Sequence, residues 1–315
     1  MKLIKSNVEE WHCGYTLPEI WAHIAKCARV CYQSEPRKNG ETDEEFVIRV
    51  ILRNHSLEEI GESRELQLKL HLSVLEQGTV YLDIPCEEDT LTAISFFENN
   101  IYSKHNCAAN ACYHITTNMR VIIENNLMDV LHYITKPNVF HYLRTTFNIT
   151  TDIGIARELA RHRTHSISEE STRYCNYSKD KFGKELTFII PQWIKVHTWD
   201  CSVNMDDILS NLVHNPSTNT TQALYDDKAA KLFFINLYKM ENMYFSLINY
   251  GYTPQQARQI LPLSTKVQTV HTAFNSDWDE FVKLRADACS GSVHPNMKVI
   301  ANKIKSLISK ENATN

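Results

Sequence analysis

In LRTTFNIT, residues 143–150, Leu143, Thr145, Phe147 and Ile149 fall on one side of a ribbon of period two. Within three residues the rhythm changes, and Ile153, Ala156, Leu159 and Ala160 recur at the spacing of a helix face. Thr151 or Asp152, between the two, is the expected helix N-cap. A strand that feeds a helix so directly has to lay that helix on its own sheet, so the two share one core. Few chains of other classes satisfy that condition, and the rest of the sequence is read around it.

Thr42-Asp-Glu-Glu45 forms a capping box, and Phe46, Val47, Val50 and Ile51 after it predict a helix. Residues 67–78 read as mainly helical, 79–84 (TVYLDI) as a strand, and 117–136 as a helix that stops before Pro137. LTFII (186–190) reads as a strand. A long helix runs from about 227 to 250 and ends at Gly251; Thr253-Pro254 restarts a short one that carries Arg258 and halts at Pro262. STKVQTVHTAF (264–274) is strand-like, and Ser276-x-x-Asp279 predicts a capping box for a helix with Trp278, Phe281, Val282 and Leu284. A last amphipathic helix follows His294-Pro295, with Met297, Ile300, Ile304 and Leu307. Helices and strands without regular alternation indicate an α+β fold, with helices around a central sheet. One domain over 1–315 is expected, with a loose polar insertion at about 203–224.

Thirty-three basic and thirty-seven acidic residues leave a formal charge of −4, which argues against a nucleic-acid binder driven by bulk charge. Any basic site must be local. The start of the chain has no apolar leader-like run and no stretch is long and apolar enough to cross a bilayer, so a cytoplasmic protein without a membrane role is expected, and the Asn219 sequon reads as an accident. The nine cysteines fit no zinc spacing and read as reduced thiols.

The local basic site is RELARHRTHSISEESTRY, residues 157–174. Arg157 and Arg161 lie four apart on one helix face, with Glu158 and His162 on a neighbouring one. Arginine matches phosphate bidentately and stays charged, so arginines among hydroxyls make an anion site. Glu169 and Glu170 are expected to partner some of the arginines, and backbone amides around 166–171 add neutral donors. The competing reading is a solvated charged face whose ion pairs contribute little. Zinc on His162 and His165 lacks a third ligand at recognisable spacing, so no metal is expected.

Arg161-His162-Arg163, seven residues, then Ser171 resembles the RHR-x7-S motif of flavin-dependent thymidylate synthases, and Arg173-Tyr174 continue it as in that family's divergent bacterial and phage branch. HLSVLEQGTVYL (71–82) resembles the family's H-x-[ST]-x-x-E-H segment, and ITTNMRVIIEN (115–125) the branch's helix before the strand. ARQILPLSTK (257–266) and SDWDEFVKLRADACSGSVHP (276–295) resemble its AR-x2-LP and F-x2-LR segments. Five ordered segments between about residues 27 and 300 carry the resemblance.

The resemblance implies reductive methylation of dUMP to dTMP, with methylenetetrahydrofolate as carbon donor, FAD as redox carrier, NADPH as reductant, and a homotetramer with shared sites. Arg161, Ser171 and Arg173 would contact dUMP, with Glu158, Glu170, Thr172 and Arg285 around them. Arg258 would face the pyrimidine, and it and Ser171 are the catalytic candidates. His162, Arg163, Ser166, Ser168 and Glu169 would hold FAD, with His71 and Ser73 beside the flavin or folate ring. Cys175, next to the motif, is the runner-up nucleophile. The chain departs from the best-studied members at Ser168 (asparagine there), Glu158 (glutamine), Gln77 (histidine) and around Phe274-Asn275-Ser276, where they carry an Asn-Ala-Arg run. An inactive nucleotide-binding relative and a nucleic-acid-binding module are the alternatives.

Overall fold

The computed structural model describes residues 1–34, 40–107, 112–215, 219–289 and 291–314. Its strands are β1 (Lys2–Ile4), β2 (Asn7–Trp11), β3 (Thr79–Pro85), β4 (Lys104–Cys107), β5 (Cys112–Asn118), β6 (Arg144–Asp152), β7 (Ser166–Glu169), β8 (Thr187–Ile189), β9 (Cys201–Ser202), β10 (Leu212–Asn215), β11 (Thr220–Ala223) and β12 (Lys266–Phe274). Its helices are α1 (Leu17–Tyr32), α2 (Asp43–Val50), α3 (Leu57–Glu62), α4 (Arg64–Lys69), α5 (Leu91–Asn99), α6 (Met119–Glu124), α7 (Ile153–Leu159), α8 (Met205–Ser210), α9 (Lys228–Asn249), α10 (Pro254–Ala257), α11 (Asn275–Arg285) and α12 (Pro295–Thr314). This is the α+β arrangement that the sequence implies.

The site is built on an antiparallel sheet in the order β2-β6-β12-β7. Its spine is the β6–β12 ladder, nine rungs from Asp152 opposite Lys266 to Arg144 opposite Phe274. One face is apolar. Val8, Phe147, Ile149 and Ala273 meet Ile155 and Leu159 of α7, Trp278 and Phe281 of α11, and Met297, Ile300 and Ile304 of α12. The strand-to-helix junction thus folds back on its own sheet, and Asp152 caps α7 by accepting the Ile155 amide at 2.8 Å. Phe147 and Trp278 pack edge to face at 4.9 Å, while the Trp278 indole donates to the Thr145 carbonyl at 3.0 Å. Each such ring, fully buried, contributes about 2–3 kcal/mol.

The other face carries Thr146, Asn148, Thr272, Ser166 and Ser168, and α1 lies over it. Cys27 and Val30 of α1 pack on Val270, and Ile20, Trp21 and Ile24 look away into a second core shared with α2, β3, β5 and α6. β3, β5 and β4 form a separate antiparallel sheet in that layer. A third core gathers around α9, β1 and β8.

Four expectations need correction. Residues 117–136 are no single helix: β5 runs on through Asn118, whose side chain caps a six-residue α6, and Asn126 at φ 53° ends it before a 3-10 turn over Met128–Tyr133. Residues 67–78 divide at the extended Leu70, and Leu72–Gln77 is 3-10 rather than α. Ser276 caps nothing, because the ladder carries Phe274 to the helix start and Ser276 lies inside α11. Residues 203–224, expected to be loose, form α8, capped by Asn204 and Asp207, and the β10–β11 hairpin, with Ile208, Val213 and Leu224 buried against α9; 216–218 lie outside the described residues. Among the described residues no helix is long and apolar enough to cross a membrane.

Candidate functional site

The basic segment folds as α7, a turn, the edge strand β7 and a second turn. Alternation on β7 sends Ser166 and Ser168 to the polar face of the sheet, and its pairing with Thr269–Thr272 fixes their register. After Glu170 the Ser171 amide donates to the Cys31 carbonyl at 2.8 Å, which turns the chain off the sheet toward the end of α1. The Tyr174 and Cys175 amides both bond to the Ser171 carbonyl, closing a tight turn that displays Thr172 and Arg173.

Two clusters result. In the first, Arg258 donates to Thr172 Oγ1 at 3.2 Å and Arg173 Nε donates to Gln255 Oε1 at 3.0 Å. The second turn and the α10 region, some eighty residues apart in the chain, meet there. In the second, Arg285 pairs with Glu158 at 3.3 Å and donates from Nε to His162 Nε2 at 3.2 Å. Burial and the Arg285 charge push His162 down to about 4, so its ring is neutral at pH 7 and free to accept that bond. Arg285 is therefore committed to an ion pair, as Glu158 is.

Glu170 is not an arginine partner. It is buried, and its carboxylate takes the Lys266 ammonium at 2.7 Å, the Tyr177 hydroxyl at 3.0 Å and the Gln268 amide at 3.2 Å. Glu169, exposed at the end of β7, has no cation within 4 Å among the described residues. Arg157, Arg161, Arg163, Arg173 and Arg258 consequently have no carboxylate within that distance among the described residues. Five arginines without an ion pair around one segment, of which Arg157 has the Glu169 carboxylate in longer Coulombic reach, favour an anionic ligand. A solvated face of surface ion pairs would look different.

On the polar face, Gln77 donates to Ser168 Oγ at 3.2 Å and accepts from Thr272 Oγ1 at 2.5 Å, so Ser168 is held from within. Ser166 Oγ accepts from Arg144 at 3.2 Å. His71 and Ser73 are exposed at the head of the Leu72–Gln77 turn, which packs on β7. Behind the segment His165 and His271 face each other through Nδ1 at 3.3 Å, buried under Trp278, with burial holding them down at about 2 and 3. Cys175 is 1% exposed and burial pushes its thiol up to about 12, which rules it out as a ready nucleophile. All nine cysteines are free.

Arg144, Gln255 and Lys266 were not singled out in the sequence. Arg144 opens a strand whose only visible signal is alternation, and Lys266 becomes meaningful once β12 lies beside Glu170. Asp83, Cys112 and His114 bring their ligand atoms within 4.8 Å of one another on the β3–β5 pair, and none of the basic segment belongs to that group. A cavity of about 710 Å³ is lined by Trp11, Tyr81, Thr79, Arg144, Thr145 and Asn275 among others, and of these Arg144 also bonds to Ser166. The free arginines and the neutral His162 fit a phosphate-bearing cofactor as well as a nucleotide.

A family model described as thymidylate synthase complementing protein matches residues 97–312. A flavin-dependent thymidylate synthase of Thermosipho melanesiensis is 26% identical over 151 residues, 47% of this chain and 57% of the relative. One of Thermosipho africanus matches to the same extent, so the chain spans somewhat more than half the length of these relatives. Among solved structures, a UMP/dUMP methylase of Streptomyces cacaoi is 16% identical, covering 98% of this chain and 93% of that one at a TM-score of 0.41. Thymidylate synthase X of Helicobacter pylori, solved with FAD and dUMP, is 18% identical over 50% of this chain and 64% of that one, at a TM-score of 0.33. Likeness at these scores carries no weight beside the family match.

Proposed function

We propose that this chain, which belongs to the thymidylate synthase complementing protein family, methylates dUMP at carbon 5 to give dTMP, with methylenetetrahydrofolate as carbon donor, FAD as redox carrier and NADPH as reductant. The observation that carries the reading is the meeting of Thr172 and Arg173 with Arg258 and Gln255, where neither arginine has an acid partner within 4 Å among the described residues. A nucleotide offers the missing anion, and a uracil carbonyl offers the acceptor.

Arg173 and Arg161 would take the phosphate, and the Ser171 hydroxyl a further phosphate or ring oxygen. Arg258, steadied by Thr172, would stabilise the negative charge that develops on the uracil ring as carbon 5 attacks the one-carbon unit. FAD, when bound, supplies the two-electron reduction that turns the transferred unit into a methyl group. His162, Arg163, Ser166 and Glu169 would orient it, with Ser168 behind them and His71 and Ser73 at the ring. Glu158 and Arg285 would act as a pair, the arginine lending its remaining donors to the nucleotide. Glu170 is a positioning residue: it pins β7 to β12 through Lys266 and thereby sets where Ser171 begins its turn. The buried Cys175 agrees with a route that uses no enzymic thiol. Arg157, Arg161 and Arg163 are exposed, and further copies of the chain, in a cytoplasmic homotetramer, would complete the site around them.

Incubation of the purified protein with dUMP, methylenetetrahydrofolate, FAD and NADPH tests the reading by chromatography of the nucleotide. dTMP that forms only when FAD is present is expected. A colourless protein that takes up no FAD and leaves dUMP unchanged would sink it, and methylation of UMP instead would correct the substrate.

A further inference from the structure

On the polar face of the sheet a line of hydrogen bonds joins α1 to the basic segment. His23 Nε2 stands 3.5 Å from Thr146 Oγ1, Thr146 Oγ1 2.6 Å from Thr272 Oγ1, and Thr272 Oγ1 2.5 Å from Gln77 Oε1; Gln77 Nε2 stands 3.2 Å from Ser168 Oγ. All five residues are buried. Each threonine has one proton to give, so the direction of one bond fixes that of the next.

Two arrangements make every bond and leave no threonine proton over. In one, His23 donates from Nε2 to Thr146, Thr146 donates to Thr272, Thr272 donates to the Gln77 carbonyl, and the Gln77 amide donates to Ser168. In the other, the Gln77 side chain is turned over and every bond runs the opposite way, which requires His23 to carry its proton on Nδ1. The distances choose the first. A separation of 2.5 Å suits O–H···O and is too short for an amide donor, whereas 3.2 Å suits N–H···O and is long for a hydroxyl. The histidine agrees. Burial pushes it down to about 4, so it carries a single ring proton at pH 7. Nδ1, which the second arrangement would aim at the nearby His12 carbonyl, makes no hydrogen bond among the described residues. Nε2 has a further acceptor in Cys27 Sγ at 3.6 Å.

We infer that His23 is a positioning residue for the flavin site: with its proton on Nε2 it directs a one-way line through Thr146, Thr272 and Gln77, which leaves the Ser168 proton free to donate on the side away from Gln77. The inference rests on the flavin reading above, in which Ser168 belongs to the residues around FAD. An asparagine, as the best-studied members of the family carry there, brings amide donors whatever surrounds it. A serine has one proton and needs its neighbours to direct it.

NMR of the histidine ring nitrogens at pH 7, with the His23 signals assigned by their loss in His23→Gln, tests the line. Nε2 is expected to carry the proton and Nδ1 to be bare; the reverse overturns the line. Titration of apoprotein with FAD, read by quenching of flavin fluorescence, tests the role. His23→Met fills the space without a donor and should weaken FAD about tenfold, while His23→Gln, whose amide donates from near the place of Nε2, should stay within about twofold of the wild type. Rescue by glutamine separates a directed donor from a side chain that merely fills space. Thr272→Val keeps the shape, breaks the line at its middle and should weaken FAD as much as His23→Met, so the test holds even where the methionine variant does not fold. Wild-type affinity in Thr272→Val overturns the positioning role. A wild type that binds no flavin overturns the flavin reading itself, and the ring-nitrogen spectrum then upholds or overturns the line alone.

Discussion

Gln77 and Ser168 touch: the Gln77 side-chain amide donates to Ser168 Oγ at 3.2 Å. These are two of the positions at which the chain departs from the best-studied sequences it resembles, and the structure makes them one departure. The Gln77 side chain reaches the hydroxyl at 168 with its amide, and its carbonyl accepts from Thr272 Oγ1. The buried trio is satisfied as a unit, so neither change is a defect alone.

Gln77→Ala should therefore cost about 2 kcal/mol of stability, since it removes a buried donor to Ser168 and a buried acceptor from Thr272, which keeps only its bond to Thr146. The double variant with Ser168→Ala should lose clearly less than the sum of the two single losses, as expected of residues in one network. Urea denaturation of the four proteins measures the coupling; strict additivity would mean that the contact contributes nothing.

Arg173→Ala should weaken dUMP about tenfold to a hundredfold, because a charge-assisted phosphate contact disappears, while FAD affinity changes less than twofold. Stability should hardly move, since Arg173 is exposed and its contact to Gln255 is a surface one. Calorimetric titration with each ligand checks the split. Equal weakening of both would assign Arg173 to neither ligand in particular.

Glu170→Gln should destabilise the fold by about 3 kcal/mol, the low end for breaking a buried pair, because Lys266 keeps some contact with water. If Glu170 acts by position, the surviving folded protein binds dUMP with its geometry loosened but its charge contacts present, and the loss appears in stability first. A normal melting temperature with dUMP binding abolished would return Glu170 to direct contact with the nucleotide.

Acid should unfold the protein early. Burial lowers His162 and His23 to about 4, His271 to about 3 and His165 to about 2, from 6.5 in the unfolded chain. Between about pH 6.5 and those values the unfolded chain binds protons that the folded one refuses, so stability falls as pH falls through that window and is fully present above it. Urea midpoints measured at steps from pH 7.5 to 4.5 should decline steadily, and His271→Gln should flatten the decline. A level profile between pH 7 and 5 would contradict the buried neutral histidines.

The strand-to-helix junction was legible because Phe147, Ile149 and Leu159 obey two periods in succession, and burial on one face is what those periods encode. Where polar chemistry overrides periodicity, reading failed. Asn118 and Asn126 divide 117–136 by capping and by a left-handed turn, and neither alters the spacing of apolar residues. The basic segment was visible as charge, but its partners were not. Glu170 stands beside the arginines in sequence and finds Lys266 across the sheet, ninety-six residues away, while Glu158 finds Arg285 through the packing of α11. Spacing along a chain reports local faces. Which charge meets which depends on how strands pair, and that is decided by burial elsewhere.

β12 also works as a ruler. Its first rung, at Lys266, stands with Glu170 at the nucleotide end, and its last, at Phe274, stands with Arg144 at the far end, about 27 Å away along an extended strand. Backbone pairing sets that length, not the side chains at either end. Loss of one residue from the middle of β12 would shorten it by a single rung and turn every later side chain to the opposite face. Thr272 and Phe274 would leave Gln77 and Arg144 together. Individual side chains at either end can drift in evolution with little consequence for the other, but the number of residues between Lys266 and Phe274 cannot.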